Sequence, residues 1–372
     1  MKPKMIFHHP YPVFPEGKSG SQVRPYKMIK AFETIGYDVD LIVGYGAERR
    51  KAINRIKRNV KHGKHYDFIY SESSTMPTLL TEKHHFPTYP FLDFGFFRWA
   101  KGNSIPIGLF YRDIYWKFPM YADEVSWIKR AVSIPMYKYD WRKYKRLLTH
   151  LFLPSVKMQE VLPNEWSAGI SALPPACDFK HNVKRRIRGI NDELNLFYVG
   201  GVLPPIYDLT PLFKTIKGLD GIHLTLCCRE HEWEATGSLY EPIDKSIVEI
   251  IHMSGSALQS YYEEADIFIM IRSPHEYLDF AMPIKVFETL GYGVPILTLD
   301  GTEAAQFIKQ EGIGWVVRSV EEASRLLDFL RNHPEDVDLM KQHVCEARLR
   351  HTWEERARQV VQTLTKNDIC EV

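Results

Sequence analysis

Between Ala265 and Gly301 the sequence reads ADIFIMIRSPHEYLDFAMPIKVFETLGYGVPILTLDG, which packs a strand, a long loop, a helix, a tight turn and a second strand into one window. Ile267 to Ile271 is short and almost wholly apolar, as expected of a parallel strand covered on both faces. Pro283 suits the first turn of a helix, where its missing N–H costs nothing, and Ile284, Phe287 and Leu290 follow at helical spacing. Gly291 and Gly293 are expected to stop that helix before a strand over Val294 to Leu299. The window is half of a doubly wound α/β unit.

A helix that starts at the carboxyl end of a parallel strand points free N–H groups and its positive dipole end into a crevice, which makes an anion site. Lys285 and Glu288 lie three apart on this helix. The lysine can neutralise a phosphate while the glutamate accepts hydrogen bonds from a ribose diol one turn deeper.

MPIKVFETLGYGVPIL resembles the donor-nucleotide segment of GT-B-fold bacterial glycosyltransferases related to glycogen and sucrose synthases, of the capsule or cell-wall polysaccharide type. The resemblance implies two Rossmann-like domains facing each other across a cleft. Glu288 falls on the family's ribose-binding glutamate, and Met282 and Pro283 fall on its donor loop. The first glutamate of that motif falls on Phe280 and is absent; Glu276 or Asp279 substitutes only by a different loop path.

YVGG, at Tyr198 to Gly201, resembles the start of the family's donor domain, with Gly200 and Gly201 bringing backbone to the phosphates. The family's arginine and lysine clamp falls on Gly201 and Ile206, so positive charge has to come from Lys285, Arg229 or Arg272. His252 to Gly255 falls on the family's base-contacting loop.

Sequence length fits more than one domain: 372 residues, 45% hydrophobic and 13% aromatic, have material for two cores. We expect a domain over residues 1–178, a second over 179–350, and a terminal helix over 351–372 that folds back on the first. The net charge of +2 conceals an asymmetry: residues 1–178 carry 27 Lys and Arg against 16 Asp and Glu, and the remainder 21 against 30. A basic first half suits an anionic lipid surface or a pyrophosphate-linked acceptor. The five cysteines, Cys177, Cys227, Cys228, Cys345 and Cys370, lack metal-ligand spacing and suggest buried packing in a reducing compartment. No apolar run approaches the roughly 20 residues of a membrane span, so a cytoplasmic protein, peripheral at most, is expected.

Along the first half, strands are expected at Lys4 to His8, Val39 to Val43, Phe68 to Tyr70, Ile107 to Tyr111 and Leu151 to Leu153, with a helix over Ser21 to Thr34. By the resemblance, Gly20 in the first loop approaches the donor phosphates. Arg24 stands one turn on, within reach of an acceptor or a phosphate. The loop SESSTMP, with Glu72 its single charge, and the pair Arg112 and Asp113 complete the expected acceptor side. Asp113 is placed nearest the acceptor hydroxyl. Two basic segments stand out, Ala47 to Lys64 and Trp127 to Leu151; the second has Tyr137, Trp141, Tyr144 and Leu148 on one stripe, which suits either an anionic bilayer surface or packing on a sheet. The DxD strings at Asp38 and Asp336 fall in a strand and at a helix start, and no cofactor or divalent metal is expected.

The function implied is transfer of a sugar from a nucleotide-sugar donor to a saccharide or lipid-linked acceptor, with no nucleic-acid partner. Asp113, Lys285 and Arg229 are expected to serve the chemistry. A nucleotide-sugar 2-epimerase and a catalytically inert GT-B partner subunit remain the alternatives.

Overall fold

The computed structural model describes residues 2–15, 20–163, 166–179 and 186–365. The chain divides into two compact units, Met1–Pro174 with Trp353–Val372, and Pro175–Thr352. The first crossing therefore lies four residues before the expected boundary at 178, because Cys177 is tied to the second unit: its N–H donates to the His351 carbonyl at 2.8 Å.

The first unit is built on strands β1 (Lys4–His8), β2 (Asp38–Ile42), β3 (Phe68–Glu72), β4 (Ile107–Phe110), β5 (His150–Leu153) and β6 (Gly169–Ala172). All neighbours pair in parallel in the order β2-β1-β3-β4-β5-β6. Its helices are α1 (Gly20–Thr34), α2 (Gly46–Lys61), α3 (Leu92–Gly102), α4 (Pro119–Glu124) and α5 (Trp127–Leu147). β6 is not among the expected strands, since GISA is too short and too poor in large apolar residues to signal one. The segment after Ser155 forms a short 3₁₀ stretch, Val156–Val161.

The second unit carries β7 (Leu194–Val199), β8 (Ile222–Cys227), β9 (Val248–Ile251), β10 (Ile267–Met270), β11 (Ile296–Leu299) and β12 (Gly314–Val317), again all parallel, in the order β12-β11-β10-β7-β8-β9. Its helices are α6 (Thr210–Ile216), α7 (Glu230–Thr236), α8 (Gln259–Glu264), α9 (Ile284–Tyr292), α10 (Glu303–Glu311), α11 (Val320–Asn332) and α12 (Pro334–Ala347). The sheet is sealed on both faces by two clusters of buried residues. Gly293 stops α9 in a left-handed conformation (φ 75°). Gly291 has a different task inside the helix: a Cβ there would lie 2.9 Å from the Asp178 carbonyl, so glycine permits that close passage.

The terminal helix α13 (Trp353–Thr365) belongs to the first unit and packs on α1, β3 and β4. Trp353, Ala357, Val360 and Leu364, at helical spacing, form its buried stripe.

Both basic segments carry buried side chains. In α5 and the residue that follows it, Trp141, Tyr144 and Leu148 are buried and the Tyr137 hydroxyl donates to the Thr75 carbonyl, so of the two readings the stripe follows packing. In α2, Arg49 is only 2% exposed and grips Asp93 with both ends of its guanidinium, at 2.9 and 3.0 Å. Asp93 also accepts from the His8 ring at 2.9 Å, and these partners hold its pKa down against the effect of burial. Removing one partner of a buried ion pair typically costs about 3–5 kcal/mol. Arg49→Leu should therefore destabilise the protein by an amount in that range in urea unfolding; a loss below about 1 kcal/mol would show that the pair contributes little.

Candidate functional site

In a doubly wound sheet, ligands collect beyond the carboxyl ends of the strands, at the point where the strand order reverses. That point lies between β1 and β3 in the first unit and between β7 and β10 in the second.

At the second unit's reversal point, Val199 leads into Gly200 and Gly201, and Met270 leads through Ile271 to Arg272. The Gly200 N–H donates to the Cys227 carbonyl at 3.1 Å, which extends the sheet pairing and removes that amide from phosphate binding. Gly201 is without a side chain for a steric reason: a Cβ would sit 2.6 Å from the Tyr207 ring. The Tyr198 hydroxyl donates to the Gly201 carbonyl at 2.6 Å and fixes the turn.

Arg272 lies 5.8 Å from the centre of the Tyr207 ring, and no carboxylate pairs with it among the described residues. Burial lowers its pKa, with the electrostatic influence of Tyr198 and Tyr207 acting in the opposite sense. Its loop is tied in place by the next residue: Ser273 donates through its N–H to the Asp208 carbonyl at 2.9 Å and through its hydroxyl to the Asp208 carboxylate at 2.6 Å. A half-buried cation without an anion, mounted on a fixed loop at this point, is suited to hold a phosphate.

Pro283 precedes α9 as its N-cap, and the Val286 N–H turns back to the Pro283 carbonyl at 3.1 Å. Met282 stands beside it, half-buried. Lys285 and Glu288 are bonded to one another at 2.6 Å, with 31% and 35% of their side chains exposed; Tyr262 donates to the same glutamate oxygen at 3.3 Å. Phe280 is buried against Tyr277, and Glu276 is exposed on a 3₁₀ turn. Arg229 is exposed and paired with Glu232, whose other oxygen accepts from the Val202 N–H at 3.3 Å. This arginine braces the first turn of α7. His252 contacts the Cys228 carbonyl at 3.0 Å, and Cys227 and Cys228 are buried thiols whose pKa values burial raises.

In the first unit the expected acceptor residues form a closed network. Glu72 has no solvent exposure: one oxygen accepts from Arg24 at 3.2 Å and from the Tyr70 hydroxyl at 3.0 Å, and the other from Arg112 at 3.1 Å. Arg24 also lies 3.6 Å above the Phe110 ring. The acceptor contact expected of Glu72 is thereby corrected, because its lone pairs are used internally. His9, which the sequence reading passed over, donates Nδ1–H to the Glu72 carbonyl at 3.0 Å, and burial followed by the nearby Arg112 lowers its pKa to about 3. It is therefore neutral near pH 7. Asp113 accepts from the Tyr115 N–H at 2.9 Å and is half-buried just beyond β4. Gly20 is the first residue of α1, and the rest of its loop, 16–19, lies outside the described residues.

The fold and the placement of these groups define a GT-B-type α/β protein. The comparisons narrow the class. Residues 210–362 match the family described as glycosyl transferase-like. No curated protein matches the sequence. Among solved structures, sucrose-phosphate synthase from Thermosynechococcus elongatus is similar over 99% of this chain and 100% of that chain, at 12% identity and a TM-score of 0.63. HepE from Anabaena, solved with UDP and glucose, is similar over 97% and 99%, at 12% identity and 0.59. WaaG, a glycosyltransferase involved in lipopolysaccharide biosynthesis, is similar over 97% and 99%, at 14% identity and 0.57. At such identities the likeness is one of fold, and the fold is GT-B.

The Lys285–Glu288 pair is half-exposed, and such pairs are worth about 0–1 kcal/mol. Glu288→Ala should accordingly leave the unfolding midpoint nearly unchanged. A loss above about 2 kcal/mol would make Glu288 a structural residue and remove it from the site.

Proposed function

We propose that this protein transfers a sugar from a nucleotide-sugar donor, bound by the C-terminal unit, to a saccharide or lipid-linked acceptor bound by the N-terminal unit. The observation that carries the reading is Arg272, just beyond β10 at the reversal point and without a carboxylate partner among the described residues, within the span that matches the glycosyl transferase-like family. The relatives solved with UDP and with UDP-glucose support the donor class.

Breaking the bond from sugar to phosphate builds negative charge on the departing diphosphate and positive charge on the ring. Groups placed where that charge develops lower the barrier. Arg272 and Lys285 would face the diphosphate, together with the Ile284 and Lys285 N–H groups at the open end of α9. The Lys285–Glu288 bond would then exchange for two others, phosphate on the lysine and ribose hydroxyls on the glutamate. With cations and amides supplied by the protein, the reaction needs no divalent metal. Retention of configuration, with the departing phosphate taking the acceptor proton, fits this set, and Asp113 contacts the acceptor hydroxyl.

A test uses thermal shift with ADP, GDP, UDP, CDP and dTDP in the presence of EDTA. A ligand at 100 times its Kd should stabilise the native state by about 2.7 kcal/mol. Arg272→Ala should weaken the best binder tenfold or more, since charge-assisted hydrogen bonds are worth about 1.5–3 kcal/mol, and should weaken the corresponding monophosphate less. Equal loss for both would place Arg272 away from the terminal phosphate. No stabilisation by any diphosphate would overturn the donor assignment.

Attachment to an anionic membrane surface belongs to the same proposal. No helix among the described residues is long and apolar enough to cross a membrane. With the α5 stripe buried, the exposed group left at the helix start is Trp127, Ile128 and Val132, beside Lys129. Screening acts over about 8 Å at physiological salt, so co-sedimentation with anionic vesicles should occur at low salt and fall at high salt. Absence of binding at low salt, or binding unchanged in Trp127→Ser with Ile128→Ser, would exclude this face.

A further inference from the structure

Beyond the carboxyl ends of β3 and β4, against α5, lies a pocket of about 250 Å³ including its open mouth. Only about 10 Å³ of that is enclosed space, room for one water-sized group, so the pocket takes a single hydroxyl. Ser73 and Ser74 come to it from the segment after β3, Tyr111 and Asp113 from the segment after β4, and Tyr137 and Asp140 from α5.

Asp140 is the unusual member. It is 5% exposed; its Oδ2 accepts from the Thr78 N–H at 2.6 Å, and its Oδ1 is buried with no hydrogen-bond partner among the described residues. Buried polar atoms are nearly always bonded, so an open carboxyl oxygen at a pocket wall marks a place for a group that is absent from the bare protein. Burial raises the Asp140 pKa to about 7, leaving the carboxyl able to donate as well as accept at neutral pH.

The chemistry of the wall decides the class of occupant. With two carboxylic side chains, hydroxyls of serine and tyrosine, and no cationic residue lining it, the pocket disfavours phosphates and other anions. Tyr137 adds a flat apolar surface: its ring is stacked on Trp116 with centroids 5.2 Å apart and planes 6° apart, and its hydroxyl is anchored to the Thr75 carbonyl at 2.7 Å. A neutral, hydroxyl-rich molecule with an apolar C–H face meets all three conditions.

We propose that this pocket seats the hydroxyl edge of a saccharide, with Asp140 Oδ1 as the hydrogen-bonding partner of one ring hydroxyl and Asp113 beside it. The proposal rests on the reading of the first unit as the acceptor side, and it adds a specific seat and a residue, Asp140, to that reading. Glu72, at the end of β3, is excluded from the role by its burial between two arginines.

Saturation-transfer NMR with the methyl glycosides of glucose, galactose, mannose and N-acetylglucosamine tests it on the full chain. The wild type should transfer saturation to at least one glycoside. Ser74→Leu, which fills the mouth, and Asp140→Leu, which removes the open oxygen, should each reduce the signal at least fivefold. Circular dichroism melting of each variant checks the fold, and Ser74→Leu keeps the test decisive if Asp140→Leu fails to fold through loss of the Thr78 bond. Stabilisation of the same variants by nucleoside diphosphates reads the donor side independently, so its failure would count against glycosyl transfer and not against this pocket. The pocket assignment is overturned if no glycoside receives saturation, or if folded Ser74→Leu keeps the full signal.

Discussion

A parallel sheet covered on both faces leaves its chemistry one place to go. Side chains along each strand are used in packing, and the loops beyond the carboxyl ends are where polar groups can meet a ligand. This constraint acts twice here, in two six-stranded sheets whose order reverses between β1 and β3 and between β7 and β10. The two reversal points are used differently. In the first unit the position is filled by the Arg24–Glu72–Arg112 network, whereas in the second it holds Arg272, with no carboxylate partner among the described residues.

Internal ion clusters set the frame around both places. Asp266, fully buried, accepts from Lys341 at 2.8 Å, from Arg186 at 3.3 Å and from the Asn195 N–H at 3.0 Å, which binds the base of β7 to α12 and to the segment before the sheet. Asp93 does the corresponding work in the first unit by joining α2, α3 and β1 through Arg49 and His8. A buried carboxylate is tolerated only with such partners. The result is that these acids hold backbone in position while Asp113, Asp140, Lys285 and Glu288 retain partial access or an open oxygen.

How far the sequence disclosed this follows from what each signal measures. The window from Ile267 to Leu299 was legible because an apolar strand, a proline before a helix and a left-handed glycine each have a local cause; β10, α9 and the turn at Gly293 lie there. β6 and β12 were missed, since GISA and GWVV are short edge strands whose pairing is decided by their neighbours. Pairing of charges was not legible. Arg49 looks like one of a run of exposed basic residues until Asp93, 44 positions away, is placed beside it, and Glu72 looks like an open loop acid until two arginines enclose it. Arg272 did carry a signal, as the first charge after a buried strand. So did Asp140, an acid set next to Trp141 within the stripe of Tyr137 and Tyr144, where an apolar residue is expected.

The central claim is that a nucleoside diphosphate binds at the carboxyl ends of β7 and β10 and at the start of α9. Hydrogen exchange of the full chain, with and without the best binder among ADP, GDP, UDP, CDP and dTDP, measures this most directly. The account predicts slowed exchange confined mainly to the amides of residues 200–202, 271–274 and 284–288. Unchanged exchange in those segments at saturating nucleotide, or protection confined to the N-terminal unit, would contradict it.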